Sequence, residues 1–96
     1  MAIGGAVLHV ESVTTGGTMD ICSTGSATWL VKNITWAGPV TVAAASTSLA
    51  GVFHTATEAG AFLGSQFIVS AVDFIRITNT STASNVCSYN GIIWSE

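Results

Sequence analysis

Polar and apolar residues alternate with a period of two, in short runs separated by Gly, Ser, Thr and Asn clusters. Helical spacing is hard to find, and this rhythm predicts an all-β chain. The first run, Ala6 to Val13, sets Val7, His9, Glu11 and Val13 on one face and Leu8, Val10 and Ser12 on the other. A second strand is expected over Thr18 to Ser23, with Met19 and Ile21 sharing a face. The third and longest, Ala27 to Trp36, places Leu30, Ile34 and Trp36 on one side with Lys32, whose aliphatic stem would snorkel at an edge. Ala37-Gly38-Pro39 turns the chain into Val40 to Ala44.

Beyond that point "AAASTSLAG" reads equally as a loop or one helical turn. Val52 to Thr57 is a further strand, Glu58-Ala59-Gly60 a turn, and Gln66 to Ser70 another strand. Asp73 to Asn79 then alternates Phe74 and Arg76 against Ile75 and Ile77. After a polar loop, Asn85 to Tyr89 and Ile92 to Trp94 are predicted to form a hairpin around Asn90-Gly91, the pair favoured in type I′ turns. About eight short strands with close turns predict a single-domain, antiparallel two-sheet β-sandwich over residues 1–96, jelly-roll-like in layout.

Composition changes this picture in one respect. The chain is 49% hydrophobic but only 7% charged, with Lys32 and Arg76 its only basic side chains besides two histidines. Soluble chains carry about 25% charge. A net charge of −3 argues against nucleic acid and against an anionic membrane surface. Low charge with high apolar content predicts faces buried against other copies or a partner. The N-terminal stretch lacks a secretory leader pattern, and the longest apolar run is too short and polar for a helical membrane span. The expectation is a soluble chain made in a cytoplasm.

Candidate chemistry is sparse. Cys22 and Cys87 each precede a tryptophan by seven residues, Trp29 and Trp94. In the predicted hairpin Cys87 faces Trp94, and a short loop from Thr24 to Ala27 sets Cys22 against Trp29, so the echo reads as packing with both thiols reduced and at least partly buried. A Cys22–Cys87 disulfide, or an immunoglobulin-like arrangement with Trp36, is the alternative; the tyrosine expected two residues before the second cysteine is instead Asn85. His9 and Glu11 point the same way, but no third metal ligand is suitably spaced, and no cofactor is expected. No nucleophile-and-base pattern or phosphate loop occurs, so no catalytic residue is assigned. The sequons at Asn33 and Asn79 read as chance matches. An enzymatic alternative would need His9, Glu11 or His54 to converge in a pocket.

Two stretches, "TTGGTMDICSTGSATWLVKNITWAGPVTV" and "FIRITNTSTASNVCSYNGIIW", resemble small β-sandwich structural proteins of tailed bacteriophages. The matching positions are Gly16, Gly17, Asp20 and Ile21, then Trp29, Val31, Asn33 and Ile34, and finally Phe74 to Ile77, Asn79, Ser81 and Tyr89 to Gly91. They are turn-and-strand patterns covering about half the chain, and the two cysteines depart from them. The resemblance implies a non-enzymatic virion component: a capsid decoration (cement) protein, forming homotrimers that bind a major capsid protein. It places the chain in the virion after synthesis in the host cytoplasm. The expected assembly contacts are Val7, His9 and Glu11 with Trp29 and Trp94. The alternative is a small carbohydrate-binding or tail-fibre attachment module, with a tryptophan stacked on sugar.

Overall fold

The computed structural model describes residues 3–96, all strand, turn and loop. Nine strands run β1 (Ala6–Val13), β2 (Thr18–Ile21), β3 (Thr28–Trp36), β4 (Val40–Ala45), β5 (Ala50–Ala56), β6 (Gly60–Phe62), β7 (Phe67–Val69), β8 (Phe74–Asn79) and β9 (Asn85–Ser95). They form two antiparallel sheets. Sheet A has the order β1-β9-β3-β6, with β7 also paired to β3; sheet B has the order β2-β8-β4-β5. The pairs are nested, β4 with β5, β3 with β6, β2 with β8 and β1 with β9. This is the wrapped long hairpin of a jelly roll. It differs from the immunoglobulin order.

The core lies between the sheets. Met19 and Ile21 of β2, Val40 and Val42 of β4, and Ile75 and Ile77 of β8 meet Val31, Ile34, Trp36, Cys87, Tyr89 and Ile93 from sheet A. Alternation accounts for the pairs Met19 and Ile21, Ile34 and Trp36, and Ile75 and Ile77 each sharing a face. The undecided "AAASTSLAG" segment contains no helix. Ala44 and Ala45 extend β4, and Ser46 to Leu49 forms a tight turn closed by Ser46 N donating to Leu49 O at 2.8 Å.

Two expectations are corrected. The terminal hairpin does not form: β9 is one uninterrupted strand and the central ladder of sheet A. Asn90 and Gly91 pair with β1 and β3 on either side, and Gly91 lacks the positive φ that a type I′ turn requires. Gly91 is needed for close approach instead. A Cβ there would lie 2.1 Å from the Leu30 carbonyl oxygen. The predicted Cys87–Trp94 pairing is lost with the hairpin, and Cys87 lies opposite Glu11 on β1 and Trp36 on β3.

The second correction concerns β3. Val31 is opposite Gly91 and Asn33 opposite Asn90, so Lys32 is an extra residue in a β-bulge. Its carbonyl accepts Ser65 N at 2.8 Å. The bulge reverses the phase of alternation: Trp29 and Val31 face inward before it, Ile34 and Trp36 after it. Leu30, expected on the inner face with Ile34 and Trp36, is buried at 7% exposed but on the outer side of sheet A, between Ile92 and Ile68 of the neighbouring strands. A similar shift between Val42 and Ala43 makes Phe53 the extra residue on β5.

Two buried asparagines hold the loops. Asn79 Nδ2 donates to Val13 O and Ala83 O, both at 2.9 Å, while its Oδ1 accepts from Ser81 N and Oγ. Asn85 Oδ1 accepts Ala37 N at 2.9 Å, and its Nδ2 donates to Pro39 O. Buried amides satisfied on both sides fix loop geometry as well as adding stability.

Candidate functional site

His9 and Glu11 point from β1 toward the inner side, as their spacing predicts, and His9 Nε2 lies 3.0 Å from Glu11 Oε1. Both are largely solvent-exposed, at the margin of sheet A. The His9 ring packs against Tyr89 at 5.3 Å, and Tyr89 stacks with Trp29 at 6.4 Å. His54 is on β5, at the opposite margin of the sandwich, against Trp36 and Phe62. The convergence an enzymatic reading required is therefore not built. Among the described residues no three His, Cys, Asp or Glu side chains are grouped to hold a metal.

Cys22 and Cys87 are free thiols, the first partly buried and the second fully buried. Burial raises the Cys87 thiol above its ordinary value of 9.0, and the Glu11 carboxylate adds to the shift. Burial likewise raises Tyr89 above its ordinary value of 10.0, helped by Cys22 and then Glu11. For both acids the folded state resists ionisation, whereas the unfolded chain ionises at the ordinary values. Each therefore contributes stability that is fully present below that value and lost as pH rises through the folded one. Urea unfolding is expected to show a constant midpoint up to about pH 8, falling progressively as the medium becomes more alkaline. A midpoint that rises with alkalinity would contradict this environment.

A surface groove of about 470 Å³ opens between the β4–β5 turn, β7 and the turn before β8. Ala44, Leu49, Ile68, Phe74 and Ile75 line it with Asp73, its single ionisable group. Ser46 also lines it, its hydroxyl oxygen accepting from Leu49 N at 3.3 Å within the turn. Both sequons are engaged structurally: Asn33 Nδ2 donates to Asn90 Oδ1 at 2.8 Å, and Asn79 is buried.

The sheet margins are more informative. β1 pairs only with β9, and β5 only with β4, so each exposes one row of backbone N–H and C=O groups. β5 carries no charged residue and no proline, and β1 has Glu11 as its one charge. Monomeric β-proteins commonly blunt such edges with lysine, proline or a covering segment. Aromatic rings accumulate beside β5, where Phe53 lies 6.4 Å from Phe62 and 5.8 Å from Phe67.

The five expected contact residues are separated by the fold. Val7 is in the core and Trp29 packs against it from the inner side. His9 and Glu11 lie at the β1 margin, and Trp94, outside the sandwich, is half-exposed. Leu8 and Val10 of β1, with Ile68 of β7, project outward from sheet A. For Leu8 and Val10 the signal was present: they alternate against Val7 and Val13, so β1 carries apolar residues on both faces.

No family model matches the chain, and no curated protein matches it. Among solved structures it resembles one described by the words "Bacillus endospore appendages form a novel family of disulfide-linked pili", with a TM-score of 0.47 and 16% identity over 97% of this chain and 88% of that one. That likeness is one of general shape and carries no functional argument.

Proposed function

We propose that this chain is a non-enzymatic structural subunit that works by associating with copies of itself, as a capsid-decorating component of a tailed-phage particle. The observation that carries the first part is the pair of bare, nearly uncharged edges, β1 on sheet A and β5 on sheet B. They lie at opposite margins, so β1 of one copy can continue onto β5 of the next by main-chain hydrogen bonds. A head-to-tail contact of this kind closes into a ring or propagates, and the expected trimer is the smallest such ring. The turn-and-strand resemblance to phage proteins supports the particle assignment and the major capsid protein as partner.

Sedimentation at micromolar concentration is the test. The expected mass exceeds one chain of 9.8 kDa, with a multiple of three chains for the closed ring. A monomer would remove the structural reading. Mixing with undecorated capsids tests the particle assignment, and absence of co-sedimentation would refute it. The half-exposed Trp94 favours a second reading, glycan binding. Loss of a glycan-array signal on Trp94→Ala would identify it.

A further inference from the structure

The two outer faces of the sandwich differ in kind. On sheet B, Arg76 forms a bidentate pair with Asp20, at 2.8 and 3.1 Å, and lies over the Phe74 ring at 5.5 Å. Thr18 and Thr78 pair beside it. This is an ordinary solvated face. On sheet A, Leu8 and Val10 of β1 are 76% and 66% exposed, Ile68 of β7 57%, and Val86 and Trp94 of β9 each 52%. Between them Ile92, Leu30 and Ile68 stand in one row across β9, β3 and β7, with Leu30 itself only 7% exposed beneath its neighbours. No carboxylate of these strands projects outward: Glu11 is on the inner side, and Lys32 at the bulge is their one cation. Antiparallel sheets that face water alternate apolar-in with polar-out. Sheet A breaks that rule on its outside.

We propose that the outer face of sheet A packs against the same face of a second copy, across a two-fold axis. This inference rests on the structural reading above and adds a contact separate from the strand edges. Three observations select a second copy. The face is nearly neutral, so it offers no charge pattern for an acidic or basic partner, yet apposing it to itself creates no like-charge cluster. Its polar residues are already paired with one another, Asn33 with Asn90 at 2.8 Å and Thr35 with Ser88 at 2.5 Å, so covering them leaves few groups unsatisfied. Its size also fits. Four strands by eight residues span roughly 19 by 26 Å at ~4.8 Å per strand and ~3.3 Å per residue. That flat footprint of about 500 Å² is raised by side-chain relief toward the ~800 Å² per partner of a standard interface. Two such faces would stack as sheets do within a sandwich, about 10 Å apart.

The experiment separates this contact from the edge contact. Val52→Lys with Thr55→Lys charges the exposed β5 edge and leaves sheet A untouched. By sedimentation at micromolar concentration, this edge-blocked protein is expected to run at twice the chain mass. Adding Leu8→Lys and Trp94→Lys should reduce it to one chain mass, with an unchanged circular dichroism spectrum. An edge-blocked protein that is monomeric overturns the face pairing and leaves edge association standing. If instead it keeps the wild-type mass and only the Leu8 and Trp94 changes dissociate it, edge association fails and the face pairing stands. Oligomers that survive all four substitutions at unchanged mass overturn the face pairing. Should the lysine pair on sheet A unfold the chain, Leu8→Thr with Trp94→Thr retains strand preference and gives the same reading.

Discussion

Gly91→Ala is expected to be among the most damaging single substitutions in the chain. The added Cβ would sit 2.1 Å from the Leu30 carbonyl oxygen and 2.9 Å from Val31 Cα. These are backbone atoms at the β3 bulge, so no side chain can rotate away. Relief requires the central ladder of sheet A to separate where β9 meets β3. Overpacking in a well-packed interior costs about 1–3 kcal/mol and occasionally more; a clash with backbone belongs at the upper end. A domain of this size has only about 5–10 kcal/mol to lose. Urea denaturation should show a loss of about 3 kcal/mol or more. Gly51→Ala is the matched control, since a Cβ there meets nothing within 4 Å and its φ is not positive. It should be neutral or slightly stabilising. Equal midpoints for the two variants would show that β3 and β9 do not approach as described.

The second large effect is expected at Asn79. Its side chain is 1% exposed and makes four hydrogen bonds, two donated to Val13 O and Ala83 O and two accepted from Ser81. Asn79→Ala leaves those carbonyls facing an empty site. Each buried polar group left unpaired costs about 1–3 kcal/mol, so a loss of about 3 kcal/mol is expected. Asn79→Asp should cost at least as much at neutral pH, because a buried carboxylate cannot donate and would face two carbonyl oxygens. Thermal unfolding of both variants checks this, and near-native melting of Asn79→Asp would refute the donor role. Neither substitution touches an outward-facing residue, so any folded fraction should retain the association behaviour of the parent chain.

These two positions show what a linear reading can and cannot extract. Asn90-Gly91 is the strongest local hairpin signal in the chain, yet it lies within an eleven-residue strand. Turn chemistry describes the conformations a dipeptide can adopt; it does not contain the neighbour on β3 whose backbone arrives against Gly91. Asn79 read as a chance sequon for want of a secretory leader, and its partner at Val13, sixty-six residues away, is invisible to a local reading. The phase of β3 is similar. Strict alternation puts Leu30 with Ile34, and only the extra residue at Lys32 moves Leu30 to the outside. A bulge leaves no mark in hydrophobic pattern because it is a property of two strands and their relative register. The site residues divide the same way. The shared orientation of His9 and Glu11 was legible from their spacing, whereas the separation of His54 from them follows from which strands become edges.

The period-two pattern on its own determined that this is an all-β chain of short strands in two layers, and it set Met19 with Ile21, Ile34 with Trp36, and Ile75 with Ile77 on shared faces, all of which are core. It could do so because burial of one strand face is a local, additive demand on residue type. Composition adds the expectation that some surface is covered, because an apolar chain with so little charge has few groups to keep copies apart. Tertiary structure decided the rest: that β9 runs straight between β1 and β3, that β1 and β5 end their sheets bare, and that Leu8, Val10, Ile68, Val86 and Trp94 share the outside of sheet A while the Asp20–Arg76 pair occupies sheet B. These depend on strand order and register, which arise from contacts between residues far apart in the chain.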